Sequence, residues 1–146
     1  MIFLDTNVLS ALMRDPPDQA VVDWLDAQPA QSVWTTSISV FEVRFGVALL
    51  PDSHRRRALD RAFELLLAED LEGRIAAFDT GAAIAAADLA ARRQASGRTI
   101  DFRATQIAGI ALSRRADIAT RNRRHFEDLD VGVIDPWAAA SPMQIK

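Results

Sequence analysis

Two carboxylates stand where they could hold a cation. Asp5 closes the apolar run Met1-Ile2-Phe3-Leu4, and Glu42 lies within Ser37-Ile38-Ser39-Val40-Phe41-Glu42-Val43. The first run reads as a buried strand, so Asp5 falls at a strand's carboxyl end, the edge where open α/β sheets bind ligands. The second reads as an apolar helix opened by serines. Convergent Asp and Glu oxygens select hard cations, and Mg²⁺ keeps several of its waters, so a few protein ligands suffice. One or two such ions, about 3.5–4 Å apart when paired, activate water and stabilise the charge that builds up in phosphodiester hydrolysis. Thr6 and Asn7 can steady Asp5 by hydrogen bonds from outside the ligand shell. Each acid also has a plainer role: Asp5 or Thr6 as the N-cap of the next helix, and Glu42 as an ion-pair partner of Arg44 or Arg74.

The elements that must position these groups alternate along the chain. Val8 to Met13 is expected to be a short helix stopped by Asp15-Pro16-Pro17. Asp18 caps a second helix that runs to Gln28 and ends before Pro29. Ser32 to Thr36 reads as a strand, Ser37 to Leu50 as a helix ending at Pro51, and His54 to Leu67 as a helix with apolar Leu59, Phe63 and Leu66. Arg74 to Phe78 fits a strand, and Thr80 to Gln94 an Ala-rich helix that Ser96-Gly97 stops. A helix from Phe102 to Arg114 precedes strand candidates at Asp117 to Thr120 and Val131 to Ile134. Strands separated by helices of this length imply right-handed crossovers and a parallel sheet covered on both faces, an α/β fold.

Composition narrows the function classes. At 146 residues, 49% hydrophobic and 25% charged, the chain is expected to form one domain with a proper core. It has no cysteine, which excludes disulfides, thiolate catalysis and Cys-ligated zinc, and suits a reducing cytoplasm. A strand starting at residue 1 leaves no room for a signal peptide, and no apolar stretch approaches the roughly 20 residues that span a bilayer. A net charge of −3 argues against coating nucleic acid by bulk electrostatics. The basic residues are nevertheless clustered, in Arg55-Arg56-Arg57 and in Arg121 with Arg123-Arg124. The first cluster reads as a solvated helix face, whereas the second can meet a phosphate chain beside a cation.

Four blocks carry a family resemblance: Met1-Ile2-Phe3-Leu4-Asp5-Thr6-Asn7-Val8-Leu9-Ser10, Ser39-Val40-Phe41-Glu42-Val43-Arg44-Phe45-Gly46, Thr105-Gln106-Ile107-Ala108-Gly109-Ile110-Ala111-Leu112, and Ile118-Ala119-Thr120-Arg121-Asn122-Arg123-Arg124-His125-Phe126-Glu127-Asp128-Leu129 with Ile134-Asp135-Pro136-Trp137. In this order they resemble PIN-domain ribonucleases, and in particular the VapC toxins of bacterial toxin–antitoxin pairs. The resemblance covers Met1 to Trp137. It implies a PIN-like α/β/α domain over residues 1–137 with a tail at 138–146, and a divalent-metal-dependent endoribonuclease using Mg²⁺ or Mn²⁺, with Asp5 and Glu42 as ligands.

One position departs from that pattern. The family places an Asp three residues before Ile107, and this chain has Ala104 there; the nearest acid is Asp101, almost one helical turn away. Three accounts are open: a deliberate Asp-to-Ala change that disarms a toxic nuclease, a naturally disabled copy, or Asp101 serving as ligand instead. Loss of a carboxylate from so sparse a site implies impaired catalysis. In the turn after the late strand the resemblance assigns Asn122 a supporting role without charge, while Thr120 could hold water or phosphate and Arg121 the RNA backbone. His125 is placed for a general base, but its His-Phe pair reads as the start of a helix-like turn, and the resemblance gives it no catalytic duty.

The resemblance also implies partners: a VapB-type antitoxin that binds operator DNA through its own domain, an RNA substrate, and a second copy in a homodimer. Trp24, Leu25, Phe41, Phe45, Leu49 and Leu50 are either core or the lining of an antitoxin groove. The competing function is a PIN-fold binding module that sequesters antitoxin or RNA without cutting. A DNA nuclease of related fold would bring insertions and a more crowded acidic site, and no Gly-rich phosphate loop follows a strand.

Overall fold

A computed structural model describes residues 1–139. Its centre is a five-stranded parallel sheet in the order β3-β2-β1-β4-β5, with β1 at Ile2–Leu4, β2 at Val33–Thr36, β3 at Ile75–Ala76, β4 at Asp117–Ala119 and β5 at Val133–Ile134. The helices are α1 (Thr6–Met13), α2 (Gln19–Asp26), α3 (Ser37–Ala48), α4 (His54–Leu65), α5 (Thr80–Ala95), α6 (Phe102–Arg114) and α7 (Pro136–Ala139). The α/β class expected from the sequence is thus observed, and every expected strand is present, though β3 and β5 are shorter at both or one end. Helix α4 continues as a π-helical turn over Leu66–Asp70. Of the expected C-terminal tail, the first residues belong to α7 and residues 140–146 lie outside the described residues.

Alternation along the central strands builds a core on each face of the sheet. Leu4, Val33 and Ala119 face a core completed by α1, α2, Val43 and Val47 of α3, and Phe63 of α4. Their neighbours Phe3 and Ile118 face the opposite core, with Leu89 of α5, Ile107 and Ile110 of α6, and Phe126. On that second side α5 and α6 pack unusually close. A Cβ on Gly109 would stand 2.5 Å from the Ala82 carbonyl oxygen and 2.6 Å from the Ala86 Cβ. Gly109→Ala is therefore expected to destabilise the fold by about 1–2 kcal/mol net, overpacking outweighing the gain of about 1 kcal/mol in helix propensity. Urea denaturation checks this, and an unchanged midpoint would mean that the two helices separate without cost. Gly97, at φ +82°, ends α5 in the left-handed conformation, as Ser96-Gly97 predicts.

This strand order positions the site. From β1 the chain winds outward through β2 and β3, then returns to the other side of β1 with β4 and β5. The crevice above β1 and β4 is the topological switch point, where connections diverge and leave the strand ends open.

Candidate active site

Asp5 leaves β1 at that switch point. Its backbone N–H donates to the Ala119 carbonyl at 3.0 Å, which ties it to the end of β4, and it is 8% exposed. One carboxylate oxygen, Oδ1, accepts the Thr6 N–H at 2.8 Å and caps α1. The other, Oδ2, accepts the Thr120 hydroxyl at 2.7 Å and the Asn7 side-chain amide at 3.5 Å. The plainer role and the functional placement therefore coexist in one residue. Thr120, fully buried, is the hub of this cluster, because its oxygen also accepts from the Asn7 amide at 3.2 Å and from the Asn122 backbone N–H at 3.0 Å. Asn7 in turn accepts the Arg121 N–H at 3.2 Å, which fixes the loop after β4 against α1.

Burial pushes the Asp5 carboxyl above its ordinary value, against the lowering pull of the Thr120 and Thr6 hydrogen bonds and the nearby His125. The sign of the consequence is definite. A group whose folded value is raised contributes stability in acid and loses it as pH rises through the folded value. An Asn at this position has no such dependence, so the stability of Asp5→Asn relative to the unaltered chain should improve from about pH 4 to about pH 7. Denaturation of both proteins at the two pH values tests this, and a difference that stays constant would contradict it.

Glu42 reaches the same crevice from α3. Its Oε1 accepts the Thr6 hydroxyl at 3.0 Å, and its Oε2 pairs with Arg103 at 3.6 Å. Neither expected ion-pair partner is used: Arg44 turns to Asp60, and Arg74 donates to the carbonyls of Val33 and Asp70. Arg103 was not singled out from the sequence. Its guanidinium lies 5.8 Å from the ring centroids of both Phe41 and Phe45, which stack one turn apart on α3.

The first turn of α6 forms the remaining wall. Asp101 is the N-cap, its Oδ1 accepting the Ala104 N–H at 3.1 Å, while its Oδ2 lies 3.9 Å from His125 Nδ1. Ala104 is 6% exposed. Asp5, Glu42, Asp101, Ala104, Asn122 and His125 all line one cavity of about 280 Å³. Among the described residues, however, no three His, Cys, Asp or Glu side chains draw together into a metal cage. The donor set that meets most directly is Asp5 and Glu42, joined through Thr6, which fits a hard ion that keeps most of its waters.

His125 ends a one-turn 3-10 helix over Arg123–His125, so the His-Phe pair closes the expected turn rather than opening it. The reason is Phe126, fully buried in the second core. The apolar residues considered for a groove also divide. Trp24 is buried and Leu25 packs on the first core, whereas Phe41, Phe45 and Leu49 are 56%, 45% and 70% exposed.

Sequence reasoning missed Arg93 altogether, since Arg92-Arg93 reads as an ordinary basic helix end. The Arg93 side chain is 5% exposed, donates twice to Asp128 at 2.7 and 2.9 Å, and also reaches the His125 carbonyl at 2.6 Å and the Thr105 hydroxyl at 3.2 Å. The Thr105 hydroxyl in turn donates to the Asp101 carbonyl at 2.7 Å. One buried guanidinium thus ties the loop that carries Asn122 and His125 to the α6 turn that carries Asp101 and Ala104.

The PIN domain family model matches residues 2–132, a span that holds every residue of this cavity. The chain is 38% identical over 140 residues to VapC ribonuclease Y4jK of Sinorhizobium fredii, across 96% of this chain and 100% of that protein. It is 35% identical over 137 residues to toxin FitB of Neisseria gonorrhoeae, across 94% and 99%. The solved structure of FitAB bound to an IR36 DNA fragment matches with a TM-score of 0.83 at 35% identity, over 94% of this chain and 96% of that one. With its parallel sheet in place and its relatives matched over nearly their whole length, this chain belongs to the PIN-domain family.

Proposed function

We propose that this chain is the toxin of a type II toxin–antitoxin pair, built on a divalent-metal-dependent endoribonuclease site that Ala104 leaves one carboxylate short. The observation that carries the reading is the meeting of Asp5 and Glu42 through Thr6 at the β1/β4 switch point, in a chain of this family. Similarity to a VapC ribonuclease and to toxin FitB supports the activity, and the FitAB structure on DNA supports an antitoxin partner that reaches operator DNA itself.

In this reading Asp5 and Glu42 hold Mg²⁺ or Mn²⁺. The ion would supply Lewis-acid polarisation of the phosphate and activation of the attacking water. Thr120, Thr6 and Asn7 keep the Asp5 oxygens in fixed directions, which matters because misplacement of about 1 Å can cost about 10²-fold in rate. Asn122 offers a neutral amide at the cavity wall, and Arg121 a cation for the RNA backbone. Asp101 spends one oxygen on capping α6, so it replaces an acid at 104 incompletely. Among the described residues no helix is long and apolar enough to cross a membrane, and we assign the chain to the cytoplasm with its RNA. The exposed Phe41, Phe45 and Leu49 supply apolar area for the antitoxin or for the second copy of a homodimer.

A second reading, a binding module that sequesters antitoxin or RNA without cutting, draws on Ala104 and on the hold of Arg103 on Glu42. The deciding experiment is divalent-dependent cleavage of a total RNA pool by this chain and by Ala104→Asp, both free of antitoxin. Cleavage by the Asp form alone supports a disabled nuclease. Equal cleavage by both makes Asp101 the ligand, and silence from both favours the binding module.

A further inference from the structure

Both carboxylate oxygens of Glu42 are already engaged. Oε1 accepts the Thr6 hydroxyl at 3.0 Å, and Oε2 faces Nη1 of Arg103 at 3.6 Å. To ligate a cation, Glu42 must give up one of these contacts, and the two are unequal. The Thr6 contact has hydrogen-bond length and belongs to the turn that Asp5 caps. The Arg103 contact is too long for a hydrogen bond and holds by charge alone. Oε2 is therefore the oxygen that comes free, and Arg103 is the group that must leave it.

The charges around the cavity say why Arg103 is there. Three carboxylates line it, those of Asp5, Glu42 and Asp101, and among the described residues Arg103 is its one guanidinium. Asp5 and Asp101 each cap a helix, so the N-terminal end of α1 or α6 offsets part of their charge. Glu42 lies within α3 and has no helix end of its own, and Arg103 supplies what it lacks. The arginine can also retreat. Its side chain is 51% exposed against 21% for Glu42, so the cation can turn outward while the carboxylate stays in the crevice. Its guanidinium already rests 5.8 Å from the ring centroids of Phe41 and Phe45, whose planes lie within 3° of parallel. A cation–π contact at an exposed site is comparable in strength to an exposed ion pair, which gives the arm a resting place when the pair opens.

We propose that Arg103 is an internal counter-ion of Glu42 that competes with a divalent cation for Oε2, so that α6 itself limits how tightly this site holds metal. The inference rests on the metal reading of the site and adds a residue that opposes it. Two simpler accounts make different predictions. An ordinary surface ion pair would leave metal binding untouched, and a cation acting through space would repel metal whether or not Glu42 carries a charge.

The test is Mn²⁺ binding by the full chain, followed through loss of the free-ion EPR signal. Arg103→Met keeps the length of the side chain and removes its charge, and at so exposed a position it should melt with the parent in EDTA. It is expected to tighten the Mn²⁺ dissociation constant about threefold to fivefold, the factor by which an exposed pair of this kind withholds its carboxylate. In a Glu42→Gln background the same substitution should change binding by less than about twofold, the limit within which sites that do not interact add. An unchanged constant for Arg103→Met overturns the competition, and so does a tightening of equal size in both backgrounds. Absence of Mn²⁺ binding from the parent, from Arg103→Met and from Ala104→Asp overturns the metal reading and the competition with it. The nuclease reading fails separately: tighter Mn²⁺ binding by Arg103→Met with no cleavage by Ala104→Asp would leave the counter-ion in place and remove the enzyme.

Discussion

Ala104→Asp is expected to raise divalent-dependent RNA cleavage by about 10²-fold or more, since a metal site tolerates little misplacement of its ligands. Position 104 is the third residue of α6, where the unpaired N–H groups and helix dipole favour a carboxylate. Its methyl already lines the cavity with Asp5 and Glu42, so the added oxygens enter the space between existing acids. Like charges in that space should push Asp5 further above its ordinary value without metal and release it when an ion binds. The variant is thus expected to gain more thermal stability from Mn²⁺ than the unaltered chain does. Asp5→Asn placed in the same background should abolish both gains. Cleavage that survives Asp5→Asn would move the chemistry away from this cavity.

The second large effect concerns Arg93 and is one of stability. Asp128→Ala should cost about 3 kcal/mol, the low end of the range for a broken buried ion pair, because Asp128 is itself 29% exposed. It strands a guanidinium that is 5% exposed, with only the His125 carbonyl and Thr105 hydroxyl left to receive it. Arg93→Met should cost less, because Asp128 keeps Arg98 at 2.7 Å and methionine fills much of the volume. For a chain of this length, 3 kcal/mol corresponds to a fall in Tm of roughly 6–12 °C. The Arg93 hydrogen bonds hold the Asp128 carboxyl below its ordinary value. That contribution is therefore present above the ordinary value and is lost as pH falls through the lowered one, opposite in sign to Asp5. Equal losses from the two variants would show that the buried guanidinium does not need Asp128.

Local patterns in the sequence determined the α/β class, the helix cap at Asp18, and the placement of Asp5 at a strand's carboxyl end. Each depends on chemistry within a few residues: a β-period or helix-period apolar run, a short polar side chain before it, a glycine or proline after it. Asn122 and Ala104 were legible only through resemblance, and Glu42, though singled out as an acid, kept an ion-pair role open beside the metal one, since an acid, an amide and a methyl on separate elements carry no mutual signal until those elements meet. The tertiary structure decided what each side chain faces. Strand order 3-2-1-4-5 brought Thr120 beside Asp5 across 115 positions of chain and made its hydroxyl the centre of the cluster. It turned Glu42 toward Arg103 instead of Arg44 or Arg74, buried Arg93 where its sequence context reads as a solvated helix end, and left Phe41 and Phe45 outside the core. Partners of a charge or an aromatic ring are set by long-range packing, in which residues far apart in sequence compete for the same few ångströms. A single chain's local propensities contain no record of that competition.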